Sequence, residues 1–124
     1  MSATSKDFAR RSPEQVFAHH GQTLGAGDID GIMADFTETS VVMTPDETYR
    51  GLAAIRRFFT ALVDALPNAK WGVTQRWSDN VLLLEWTCDS DLHVVRDGID
   101  TFVFRDGTIE VQTARCSLIK KHLT

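Results

Sequence analysis

The stretch DGIDTFVFRDGTIEVQTARC, residues 97–116, reads as two β-strands joined by a tight turn at Arg105–Gly107. Side chains alternate along a strand, so Phe102 and Phe104 share one face, and Asp100 has the same parity. A carboxylate beside two phenylalanines has two readings. Either that face is core and Asp100 stands at its wet edge, or it lines a pocket in which Asp100 does chemistry.

The neighbouring sequence extends the pattern. Alternation predicts strands over Trp71–Trp77, Val81–Cys88, Leu92–Phe104 and Thr108–Leu118, with turns at Ser78–Asn80 and Asp89–Asp91. Consecutive strands on short turns imply a meander. Gly98, inside one strand, signals a bulge or bend. In VLLLEWTC (81–88), Leu82, Leu84, Trp86 and Cys88 form one face and Leu83 and Glu85 the other. Trp86 fits the wall of a pocket for a flat apolar ligand, or simply a core. On the last strand Gln112, Ala114 and Cys116 share one parity, and Ile109, Val111, Thr113 and Arg115 the other. Periodicity does not choose which set faces inward. Arg96 has the parity of Asp100; it would pair with Asp100, Asp91 or an acidic ligand, or stand in solvent at the mouth. His93 has the opposite parity.

The first half is helical. Ser12 is a fair N-cap, Pro13 fits a first turn, and Glu14 and Gln15 suit the positive end of the dipole. Val16, Phe17, His20, Thr23 and Leu24 recur on one side, and Gly25 or Gly27 can take the left-handed cap. His20 is either an inward proton-exchanging group or a surface residue, and His19 suits the surface better. Asp28 caps a second helix over residues 29–36, with Ile29, Ile32, Met33 and Phe36 apolar. A strand at Ser40–Thr44, a turn, and a short strand at Thr48–Arg50 precede a third helix over Gly51–Leu66. Tyr49 and Asp46 flank that short strand. Helices early and antiparallel strands late predict an α+β domain over residues 12–124, after a flexible tail at 1–11.

Composition bounds the function. The chain has 124 residues, a net charge of −4 and 43% hydrophobic residues. Nothing forms a basic stripe that would grip phosphates, which argues against nucleic acid as a partner. No apolar run reaches membrane-spanning length, and MSATSKDFARRSPEQ lacks an apolar leader segment, so no membrane or secretory role is expected. Cys88 and Cys116 lack metal-ligand spacing and read as free thiols in a reducing cytoplasm. No metal or cofactor motif is present.

GDIDGIMADFTETSVVMTP, the following YRGLAAIRRFF, and DGIDTFVFRDGTI together resemble the NTF2-like superfamily, in its SnoaL-like and ketosteroid-isomerase-like branch, over about residues 13–118. The resemblance implies a cone-shaped curved antiparallel sheet closed by three helices from the first half, with a pocket inside. It implies a small, largely apolar carbonyl-type ligand, no cofactor, and a homodimer through the outer sheet face. Activities within the superfamily include isomerases, cyclases, epoxide hydrolases and dehydratases; other members bind without catalysis. Matched position by position, Asp100 stands for the protonated oxyanion-hole acid and His20 for the tyrosine. Thr44 stands where ketosteroid isomerases keep their base. Asp100 and His20 are therefore the implied catalytic pair, closer to the cyclase pattern. Thr44, Gln112, Trp86, Phe102, Phe104, Tyr49 and Arg96 are the implied ligand-binding residues. An epoxide hydrolase would need an Arg and two Asp around one water, for which only Asp100 and Arg96 offer themselves. A non-catalytic binding or dimerisation module is the alternative.

Overall fold

The computed structural model describes residues 10–122. Helix α1 spans Pro13–Ala26. Its Ser12 side chain accepts from Gln15 N–H while Gln15 Oε1 accepts from Ser12 N–H, a reciprocal capping box. Gly27 closes the helix at φ 67°, a backbone conformation that costs glycine nothing. Asp28 caps α2, Ile29–Met33, which is shorter than the expected 29–36 because the chain tightens into turns at Asp35 and Phe36. Strands β1 (Val41–Met43) and β2 (Thr48–Arg50) form a hairpin, and α3 follows over Leu52–Ala65.

The meander is β3 (Lys70–Ser78), β4 (Val81–Asp89), β5 (His93–Arg105) and β6 (Thr108–Arg115), with β7 (Ile119–Lys120) returning to the start of β5. The sheet order is β2-β1-β6-β5-β4-β3. All neighbours are antiparallel except β1 and β6, which run parallel. That pairing joins segments about seventy residues apart, which no local turn signal announces. The expected single strand to Leu118 is instead β6, ending at Arg115, and then the short β7.

Two irregularities set which side chains enter the cone. In β5, Trp86 pairs with Gly98 and Cys88 with Val95, so Arg96 and Asp97 lie in a bulge opposite one residue. In β6, Val103 pairs with Val111 and Phe104 with Ile109, leaving Glu110 as the extra residue. Parity therefore reverses across each bulge. Ile109 and Gln112, which strict alternation would separate, are both buried.

The helices cover the concave face. Val16, Ile32, Ile55, Val42, Leu82 and Ile109 are almost fully buried and fill the closed end, and the equally buried Phe59 and Phe102 also reach the cavity at the open end. A buried carboxylate fastens that end: Asp35 accepts from Arg11 Nη1 at 2.9 Å and contacts His19 Nδ1 at 2.8 Å. Arg11 also donates to Gly107 O at 2.7 Å, and Ile109 N–H to Asp35 O at 2.8 Å. Residues 1–9 of the expected tail lie outside the described residues; Arg11, assigned to it, is bonded to the fold. His19 is not a plain surface histidine, because Asp35 holds it.

Candidate functional site

At the open end the sheet and helices enclose a cavity of about 560 Å³. Its walls come from the C-terminal half of α1, from α3, from the β1–β2 hairpin and from the concave faces of β3 to β6. The segment Arg115–Leu118 forms part of the rim. The lining is mainly apolar: Phe17, Leu24, Phe58, Leu62, Trp71 and Leu84 among others.

Asp100 stands in the wall, 6% exposed. Strand register explains its partners. Trp86 is opposite Gly98, two residues before Asp100, and Gln112 is opposite Phe102, two residues after it. Each reaches diagonally across the face to the same carboxyl group. Trp86 Nε1 donates to Asp100 Oδ1 at 2.9 Å, and Gln112 Nε2 donates to Oδ2 at 3.0 Å. Gly98 makes the first of these bonds possible, because the Trp86 indole lies against its Cα where a Cβ would intrude. Trp71 packs against the same indole, with centroids 5.4 Å apart.

Burial pushes the Asp100 carboxyl up to about 6, against the two hydrogen bonds that favour its charge. It is therefore a group that changes protonation near neutral pH. His20 is 3% exposed and sits among the rings of Phe17, Phe36, Phe59 and Phe102. Burial, with His19 nearby, lowers it to about 4, so it is a neutral imidazole at pH 7. Its Nδ1 is buried without a hydrogen-bond partner. Cys116, at the wall beyond β6, is pushed up to about 11 by burial, with the Asp100 and Asp97 carboxylates adding to it, and is a thiol rather than a thiolate.

The residues singled out in the sequence divide as follows. Asp100, His20, Trp86, Phe102, Gln112, Thr44 and Tyr49 all line the cavity. His20 and Asp100 do not form the expected pair: both Asp100 oxygens are taken by Trp86 and Gln112, and the imidazole is ringed by aromatic side chains instead. Thr44 is at the mouth, but its hydroxyl is used in the hairpin, accepting from Asp46 N–H and Glu47 N–H. Tyr49 stacks near Phe58 and under the Arg57 guanidinium. Phe104 is core, not wall. It lies toward the closed end, 2% exposed, stacked between Phe102 and Trp77. Arg96 is exposed outside the cavity, because the bulge between Val95 and Gly98 removes it from the parity of Asp100. Arg96, the arginine considered for an epoxide-hydrolase arrangement, is therefore not among the residues that line the cavity with Asp100. Cys116, which the resemblance places inside the cone with Gln112, lines the cavity. Trp71 and the rim residues Arg115, Ser117 and Leu118 were not singled out; the parity of Trp71 with Trp77 was the available signal. Among the described residues no three His, Cys, Asp or Glu side chains converge to hold a metal ion.

A family model for the SnoaL-like domain matches residues 16–111, most of the chain. The chain belongs to the SnoaL-like family. No curated protein matches this SnoaL-like chain by sequence. Solved structures share its fold at low identity. An NTF2-like protein of unknown function from Cytophaga hutchinsonii superposes with a TM-score of 0.67 at 10% identity, over 94% of this chain and 93% of that one. A Kribbella flavida protein provisionally assigned as a ketosteroid isomerase gives 0.71 at 13% identity, over 90% and 82%. SalBIII, described as an epoxide hydrolase/cyclase-like enzyme of pyran ring formation in the polyether salinomycin, gives 0.68 at 16% identity, over 85% and 90%. The SnoaL-like domain is thus an NTF2-like α+β fold. Among its described residues no helix is long and apolar enough to cross a membrane.

Proposed function

We propose that this SnoaL-like domain binds a small, largely apolar, carbonyl-bearing molecule in its cavity and catalyses cofactor-independent proton transfer on it, as an isomerase, cyclase or lyase. The observation that carries the reading is the carboxyl group of Asp100, buried in the wall of a mainly apolar cavity and raised to about 6. A group with that affinity for a proton can take one from an activated carbon or hydroxyl and return it at neutral pH. Trp86 and Gln112 hold its orientation. His20, neutral and on the same cavity, offers a second hydrogen-bonding group to the ligand rather than to Asp100. Phe102, Trp86 and Tyr49 exclude water, which strengthens each polar contact.

The test is deuterium exchange at carbon next to the carbonyl in a panel of cyclic ketones and β-dicarbonyl compounds, followed by proton NMR in D₂O. Wild type accelerates exchange in compounds that bind, and Asp100→Asn abolishes the acceleration, a loss of roughly 10²–10⁴-fold. Binding without accelerated exchange in wild type would replace the enzymatic reading with a ligand-carrying module.

The same reading includes a homodimer through the outer sheet face and a reducing, cytoplasmic setting. Met43, Leu83 and Ile99 support the first: they are each about two-fifths exposed on the convex side, on β1, β4 and β5. The free thiols Cys88 and Cys116 support the second.

A further inference from the structure

The carboxyl group of Asp100 has two partners of different capability. The Trp86 indole can only donate, whereas the Gln112 amide can donate through Nε2 or accept through Oε1. Gln112 is 2% exposed, spends Nε2 on Asp100 Oδ2, and leaves Oε1 buried with no partner. A buried amide oxygen without a partner is a cost that folded proteins seldom carry without use.

When Asp100 takes up a proton, its oxygens are not equivalent. A proton on Oδ1 would weaken the bond from Trp86, and that indole has no other way to serve. A proton on Oδ2 meets the Gln112 N–H head-on, two donors facing each other. Turning the amide by half a revolution removes the clash and brings Oε1, the unpartnered atom, round to accept from Oδ2–H.

We propose that Gln112 is a proton-linked positioning residue: its amide donates to the Asp100 carboxylate and rotates to accept from the protonated acid. The rotation holds the proton on Oδ2 between its removal from one atom of a ligand and its delivery to another. No atom is gained or lost; the proton moves between ligand and Oδ2, and the amide exchanges one hydrogen bond for another. The other titratable or charged side chains on the cavity are His20 from α1, Asp46, Glu47 and Tyr49 from the β1–β2 hairpin, and Arg115 and Cys116 at the end of β6. None of them hydrogen-bonds Asp100, so Gln112 is the group positioned to respond. The inference deepens the reading of Asp100 as the proton-transfer group, and its test needs no ligand.

The test is an NMR measurement on the free protein, labelled with ¹⁵N at glutamine and ¹³C at aspartate and asparagine. Two states are compared, at about pH 8 and about pH 4.5, either side of the Asp100 transition near 6. With the amide donating, Gln112 ¹⁵Nε2 and Asp100 ¹³Cγ are coupled through the Nε2–H···Oδ2 hydrogen bond and give a correlation peak across it. The expected result is that this peak is present at the higher pH and lost at the lower. In Asp100→Asn, whose Oδ1 accepts from Trp86 and whose Nδ2 donates, the expected result is its absence at both pH values. Wild type alone decides the matter if that variant does not fold. A peak that persists in acid would overturn the rotation while leaving the exchange experiment, and with it the catalytic reading, untouched.

Discussion

Asp100 and His20 are two titratable groups on one cavity, and burial acts on them in opposite senses. Asp100 is held near 6, above its unfolded value of about 3.9, so its charge costs stability above pH 6, and that cost fades as pH falls toward 4. His20 is held near 4, below its unfolded value of about 6.5. The unfolded chain then binds a proton that the fold refuses, and stability is lost as pH falls from 6.5 through 4. Each effect is on the order of 3 kcal/mol, and they oppose each other in the same window. Substitution separates them. Asp100→Asn gains stability relative to wild type at pH 7, and the gain shrinks as pH falls to about 4. His20→Gln does the reverse, gaining on wild type in acid. Urea unfolding at a series of pH values checks both. Offsets that stay constant between about pH 4 and 7 would show that neither group is titrating as described. That Asp100 and His20 share a cavity was implied by the family resemblance, since strand parity and helix spacing left each of them two readings. That they do not touch was not, because the indole and amide that occupy Asp100 come from neighbouring strands whose register no single sequence states.

At the scale of elements, the bulges decide the site. Strict alternation carries Arg96 into the cone with Asp100 and forces a choice between Ile109 and Gln112. One extra residue in β5 removes Arg96, and one in β6 admits both Ile109 and Gln112. Gly98 hinted at the first irregularity; nothing in TIEVQ marked the second. The hairpin turn itself was plain, since Asp106 and Gly107 adopt φ of 50° and 74°, which an Asp-Gly pair tolerates. The exposed end of this logic is Gly98, where the strand lies against the Trp86 indole. The indole is tied to Asp100 by a hydrogen bond and packed against Trp71, so it yields poorly to a methyl group. Gly98→Ala is expected to cost about 1–3 kcal/mol and to alter Trp86 fluorescence as the ring leaves Asp100. Unchanged thermal stability and unchanged emission would mean that the strand bends away freely.

At the scale of the molecule, helices and sheet have a packed end and a hollow one. Val16, Ile32, Ile55 and Ile109 close the first, with Asp35, Arg11 and His19 as its polar fastening. The architecture was readable because the order of helices and strands and the closing hairpin both resemble one superfamily. The Asp35 cluster was not, since it joins residues from four separate segments. The convex face carries Met43, Leu83 and Ile99, and the homodimer reading predicts that Leu83→Lys shifts sedimentation equilibrium from dimer to monomer without changing the circular dichroism spectrum. Wild type sedimenting as a monomer at micromolar concentration would remove that interface.

The central claim is that a single carboxyl, desolvated in the wall of the hollow, exchanges its proton near neutral pH. The direct measurement is the ¹³Cγ chemical shift of Asp100 followed through a pH titration of the free protein. The account predicts a midpoint near 6. A midpoint at the ordinary value of about 3.9 would place Asp100 in a solvated setting and contradict it.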